Sequence, residues 1–149
     1  MLQEYQRILI ATDGSGGADF ALNKAIAIAK RNHATLVILH VLDTRAIQAT
    51  SNSDLHFREA LRVLGDQVIG EAKERALKEG VEDVKVILEI GAPKSIIAED
   101  IPKKENIDLI VLGAHGMSAI ERFFMGSVSE SVIRHAACDV LVVRPEVEA

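Results

Sequence analysis

Five short apolar runs mark the chain: Arg7-Ile-Leu-Ile-Ala11, Thr35-Leu-Val-Ile-Leu-His-Val-Leu42, Val84-Lys-Val-Ile-Leu-Glu89, Leu109 to Leu112, and Asp139-Val-Leu-Val-Val143. Most are too continuous to alternate between a wet and a dry face, and each is bounded by polar or glycine-containing turns. Runs of this kind suit strands covered on both sides. Between them the apolar positions recur at helical spacing. Leu22, Ala25, Ile26 and Ala29 share one face of a first helix, with Lys24, Lys30 and Arg31 turned to water. Phe57, Leu61, Leu64, Val68, Ala72 and Ala76 predict a long second helix from about Asp54 to Glu79, with Gly80 as its stop. Gly65 and Gly70 weaken that helix by about 1 kcal/mol each relative to Ala, so a bend or close packing is expected there. Gly91-Ala-Pro93 opens a third helix with Ile96, Ile97 and Ile101 as its buried stripe. Pro102 is expected to end or kink it. Ser127 to His135 forms the last helix. The polar stretch from Thr44 to Ser53 reads as a mobile surface loop or the frayed start of the second helix, and Lys103-Lys-Glu105 as a solvated helix end.

The alternation of strand and helix predicts one doubly wound α/β domain over residues 1–149, a parallel sheet with helices on both faces. No internal repeat or linker interrupts it. In such sheets a ligand crevice opens at the carboxyl ends of the strands, where the strand order reverses. Those ends carry Thr12-Asp13, Val41 to Asp43, Glu89 to Gly91 and Gly113-Ala-His115.

Composition narrows the function. Hydrophobic residues make up 48% and charged residues 26%, an ordinary globular balance. Aromatics are only 3%, so stacking platforms for bases are not expected. A formal charge of −5 with no basic stripe argues against duplex nucleic acid. The one cysteine, Cys138, forms no internal disulfide and fits a reducing compartment. The first residues, Met1 to Arg7, lack an apolar signal segment, and no run approaches the length of a membrane span, so a cytoplasmic protein is expected.

The candidate chemistry lies in Gly113-Ala-His-Gly116 and, after nine intervening residues, Gly126-Ser127. Here a strand ends, a glycine-punctuated loop follows and a helix starts. Backbone N–H groups at a helix start attract anions, and glycine lets a phosphate approach closely. Ser127 and Ser129 are helix caps or phosphate partners; Asp13 is a turn acid, a cap or a ligand. His115 either touches phosphate or fills the turn. Arg122 reads as a solvated charge and Phe123-Phe-Met125 as a hydrophobic plug. His33, His40, His56 and His135 lack metal-ligand spacing and read as packing or surface residues.

Other phosphate and cofactor signatures fail. Gly14-Ser-Gly16 lacks the third glycine of a dinucleotide fingerprint, no Gly-Lys-Ser/Thr tripeptide occurs, and no serine sits in a G-x-S-x-G frame. The paired acids and the lysine of a phosphoacceptor receiver are missing, as are aromatics placed to flank a flavin.

The spacing G-x2-G-x9-G-S resembles the ATP-binding branch of the universal stress protein family. The resemblance extends to Ile8-Leu-Ile-Ala-Thr-Asp-Gly-Ser15, His40-Val-Leu-Asp43, Asn106 to Gly113 and Cys138 to Pro145. It implies a five-stranded parallel sheet of order 3-2-1-4-5 and a homodimer paired through the strand Val140 to Val143. It also implies bound ATP, with Mg²⁺ or Mn²⁺ accompanying it. Asp13, with Thr12 beside it, would lie near the ribose or adenine, and the backbone of Val41 would read the adenine edge. Leu112, Gly113, His115 and Gly116 would border the ribose and phosphates, which Gly126, Ser127, Val128 and Ser129 would cradle. No triad and no base other than Asp13 is evident, so a nucleotide-dependent sensor or regulator is expected rather than an enzyme. The alternatives are a weak metal-dependent ATPase or phosphotransferase and a nucleotide-free dimeric adaptor.

Overall fold

The strand β1 (Arg7–Ala11) has Ile8, Leu9 and Ile10 all fully buried, so neither of its faces meets water. It pairs in parallel with β2 (Thr35–Asp43) on one side and β4 (Leu109–Gly113) on the other, Ile10 lying opposite both Ile38 and Val111. Outside these, β3 (Asp83–Gly91) pairs with β2, and β5 (Asp139–Val143) pairs with β4. The result is a five-stranded parallel sheet of order β3-β2-β1-β4-β5, as expected. This computed structural model describes residues 4–13, 16–43, 55–114 and 126–145.

Helices cover both faces. On one lie α1 (Gly16–Asn32) and α2 (Leu55–Lys78), where Leu22, Ala25, Ile26, Ile69, Ala72 and Ala76 pack on Ile8, Ile10, Leu36 and Ile38. On the other, α3 (residues 93–104) and α4 (Ser127–His135) bring Ile96, Ile97, Ile101 and Val132 onto Leu9, Val37, Leu39 and Ile110. Successive residues of each strand thus feed opposite cores, which is why the strands read as unbroken apolar runs. Among the described residues no helix is long and apolar enough to cross a membrane.

Three expectations need correction. First, of the end or kink expected at Pro102, the end does not occur. The element α3 runs as an α-turn Pro93–Ser95, a π-helical stretch Ile96–Asp100 and an α-turn Ile101–Lys104. The N–H of Ile101 bonds back to the carbonyl of Ile96. Proline has no N–H and would strike the carbonyl four residues back in a regular coil; the wider π turn gives its ring room, and the helix continues past the one missing donor.

Second, the buried face of α2 is shorter than its apolar stripe. Phe57 is 38% exposed and Leu64 57% exposed, whereas Ile69, Ala72 and Ala76 are buried. Gly65 packs against His40 and Leu88, close to the carboxyl ends of β2 and β3. The turns before Gly65 therefore lie toward the carboxyl edge of the sheet, and Phe57 and Leu64 keep part of their surface exposed.

Third, Glu105 is not solvated. It is 6% exposed, with Lys85 Nζ at 2.7 Å and an Arg7 guanidinium nitrogen at 3.3 Å from its Oε1. Arg7 and Lys85 occupy alternate strand positions that face α3, and the end of α3 carries Glu105 down between them. Asn106, in the left-handed region at φ 54°, then turns the chain, and the Ile107 N–H caps the Pro102 carbonyl at 2.9 Å.

Candidate functional site

The chain leaves β1 toward α1 on one face of the sheet and leaves β4 toward α4 on the other. The carboxyl ends of these adjacent strands therefore diverge, and a cleft of about 400 Å³ opens between them. That volume lies within the usual range of small-molecule sites. Ala11, Thr12 and Asp13 continue from β1; Leu112, Gly113 and Ala114 come from β4 and its exit. Leu39, His40 and Val41 form the β2 flank, backed by Pro93 and Ile97 of α3, with Ala18 of α1 nearby. The opposite flank is the start of α4, Gly126 to Ser129.

The two flanks differ in chemistry. The β2 and α3 side is mainly aliphatic. The α4 side offers backbone donors: the Glu130 N–H is the first to close an intrahelical bond, to the Gly126 carbonyl at 3.0 Å. The N–H groups of Ser127, Val128 and Ser129 consequently have no carbonyl within the helix, and the N-cap Gly126 has no side chain to satisfy them. They carry the positive end of the helix dipole.

Backbone and side-chain bonds hold these walls in place. Ala114 donates its N–H to Val143 at 2.9 Å and accepts from the Gly126 N–H at 3.0 Å, which clamps both ends of the connection between β4 and α4. The buried Ser129 hydroxyl donates to the Gly113 carbonyl at 3.0 Å, tying the first turn of α4 to the end of β4. On the other side, the Thr12 N–H bonds the Leu39 carbonyl at 2.9 Å, and His40 Nδ1 lies 2.7 Å from the Thr12 carbonyl. Asp13 is exposed at the mouth. Among the described residues no group of three or more His, Cys, Asp or Glu side chains could hold a metal ion.

Of the residues singled out from the sequence, Thr12, Asp13, Val41, Leu112, Gly113, Gly126, Ser127, Val128 and Ser129 line this one cleft. His115, Gly116, Arg122, the Phe123 to Met125 plug and the polar stretch 44–54 lie outside the described residues. The end of β3 does not reach the cleft: β3 is the outermost strand, and α3 contributes Pro93 and Ile97 instead. Those two, with Ala11, Ala18, Leu39 and His40, were missed by sequence reasoning. Their available signal was weak, because only Ala11 and His40 adjoin a residue already placed at a carboxyl end.

The fold and the cleft define a class: a doubly wound α/β protein whose switch-point crevice runs from an aliphatic wall to a helix N-terminus. The model of the universal stress protein family matches residues 4–144, and the chain belongs to that family. A relative from Staphylococcus aureus strain USA300, which carries the universal stress protein name, is 47% identical over 142 residues, 95% of this chain and 86% of its own length. Among solved structures, hypothetical protein MJ0577 superposes with a TM-score of 0.85 at 29% identity, covering 98% of this chain and all 100% of its own. A universal stress protein crystallised in complex with cAMP superposes with a TM-score of 0.69 at 27% identity, covering 95% and 98%.

Proposed function

We propose that this universal stress protein binds an adenine nucleotide, with ATP as the resident ligand, and acts as a nucleotide-dependent sensor or regulator in the cytoplasm. The observation that carries the reading is the meeting, in one cleft, of an aliphatic wall with the free backbone donors at the start of α4. A nucleotide needs both: somewhere to bury the base and somewhere to seat phosphate oxygens. The cAMP complex of a relative at 27% identity supports the same ligand class. In this reading Leu39, Val41, Pro93, Ile97 and Leu112 cover the base, and Asp13 faces the nucleoside end. The N–H groups of Ser127 to Ser129 hold the phosphates, beside Gly113 and Gly126. Mg²⁺ or Mn²⁺ would enter on the nucleotide's own phosphates.

Binding is favoured over turnover by the cleft's side chains. Among its described lining residues Asp13 is the single acid, and there is no Lys or Arg to stabilise a transferring phosphoryl group. Signalling then requires that ATP bind one conformation more tightly than another. Titration of the nucleotide-stripped protein with Mg-ATP in a calorimeter tests the reading. Saturation near one ATP per subunit is the expected result; silence up to millimolar ATP would leave the adaptor reading in its place.

The proposal includes a homodimer joined through β5. The outer strand β3 is blunted by Lys85 and Glu89, whereas Val140 to Val143 at the other edge carries no charge. Light scattering on the purified chain should give twice the 16.2 kDa mass of the monomer. A monomer mass at micromolar concentration would remove this part of the proposal.

A further inference from the structure

His40 is the polar exception on its side of β2. The residues before it on that face, Leu36 and Ile38, are fully buried in the core beneath α1 and α2. The imidazole continues this row toward the carboxyl end of the strand, where it meets the cleft. Its Nδ1 lies 2.7 Å from the Thr12 carbonyl. A carbonyl only accepts, so Nδ1 carries a proton.

The opposite side of the ring faces Gly65 of α2. A Cβ built at Gly65 would lie 3.0 Å from His40 Cδ2, 3.5 Å from Nε2 and 2.9 Å from Leu88 Cδ1. Glycine is disfavoured inside a helix, and here its lack of a side chain lets α2 close over the ring. The imidazole is thus held between a helix backbone and a cleft-lining carbonyl.

The Thr12 carbonyl belongs to the peptide that leads into Asp13. That peptide is planar, so fixing the carbonyl fixes the Asp13 N–H and the place of the Asp13 Cα, from which the side chain leaves the backbone. The Thr12 N–H is already held by Leu39. The bond from His40 orients the second peptide plane, the one that presents Asp13 at the mouth.

We infer that His40 is a positioning residue for the nucleoside end of the cleft: it donates from Nδ1 to the Thr12 carbonyl and so holds the peptide that carries Asp13, while Gly65 leaves room for its ring beside Leu88. The inference rests on the nucleotide-binding reading and adds to it a residue that does not itself hold phosphate. It also links α2 to the cleft, since a shift of α2 at Gly65 displaces the ring that holds the Asp13 peptide.

The test is a set of Mg-ATP titrations on the full chain, beginning with the parent. His40→Leu keeps the bulk and removes the donor; it should weaken ATP binding about tenfold, the loss of roughly one hydrogen bond. His40→Asn can place an amide N–H where Nδ1 stood and should recover most of that loss. Gly65→Ala should weaken binding in the parent by pressing on the ring, and weaken it less in the His40→Leu background, where no donor remains to displace. A role confined to packing would favour Leu over Asn.

Parental affinity in a folded His40→Leu variant overturns the inference, as does equal weakening by Leu and Asn. Should His40→Leu fail to fold, Gly65→Ala and His40→Asn decide: unchanged affinity in the first, or full loss in the second, overturns it. A parent that binds no nucleotide sinks the cleft reading itself and this inference with it; a binding parent with indifferent variants sinks only the inference.

Discussion

Gly126→Val is expected to abolish ATP binding in a protein that still folds. Gly126 sits at φ −63° and ψ 154°, a conformation that valine adopts readily. Among the described residues, a Cβ at this position would have the Ala114 carbonyl oxygen as its nearest neighbour, at an ordinary contact distance of 3.7 Å. The fold therefore has room for the first carbon, and the added methyls crowd the cleft beside the Ser127 N–H. Valine is a poorer helix cap than glycine, so a stability loss of up to about 1 kcal/mol is expected. The ligand loses more. Two charge-assisted bonds to phosphate, at about 1.5–3 kcal/mol each, amount to at least a hundredfold in affinity. Calorimetric titration alongside thermal unfolding separates the two effects. If the variant unfolds near the parent and binds ATP as the parent does, the phosphates do not lie against the start of α4.

The second large effect concerns stability at the opposite end of the sheet. Glu105→Gln should destabilise the fold by about 1–2 kcal/mol at neutral pH, and the difference should shrink in acid. The carboxyl of Glu105 titrates below its ordinary value of 4.5, chiefly because Lys85 donates a hydrogen bond to it; the charges of Lys85, Arg7 and Lys104 act the same way against the opposing effect of burial. A carboxylate with a lowered pKa stabilises the folded state fully above the unfolded value, and that contribution is lost as pH falls through the folded value. Lys85 is 52% exposed on its side chain and Arg7 a third exposed, so both cations keep part of their hydration when the carboxylate is replaced. This holds the expected loss below that of a fully buried pair. Urea unfolding of parent and variant at pH 7 and at about pH 3.5 measures it. Equal destabilisation at both pH values would mean that shape, not charge, is what Glu105 contributes.

The contrast between Glu105 and Gly126 shows what was legible in advance. Gly126 stands in a local pattern, a glycine just before a helix start and separated by nine residues from Gly116, whose meaning depends on neighbours in the chain. Glu105 follows two lysines, and nothing beside it distinguishes a solvated helix end from a buried ion pair. Its partners Arg7 and Lys85 come from two different strands, β1 and β3, brought under the end of α3. His40 has the same character. Its neighbours in sequence mark a strand, while its two contacts, the Thr12 carbonyl and Gly65, belong to a loop and a helix elsewhere in the chain.

The sequence by itself determined the order of strands and helices, because hydrophobic periodicity follows directly from chain geometry and burial on two faces leaves continuous apolar runs. It also determined which residues stand at the strand ends and helix start that form the cleft. Only the tertiary structure decided that Phe57 and Leu64 of α2 keep part of their surface exposed, and how a π turn carries α3 through Pro102. It alone joined Glu105 to Lys85 and seated His40 against Gly65. Periodicity describes which way a side chain faces along its own element; what it meets there depends on how far each element extends over its neighbours, a quantity set by packing of the whole chain.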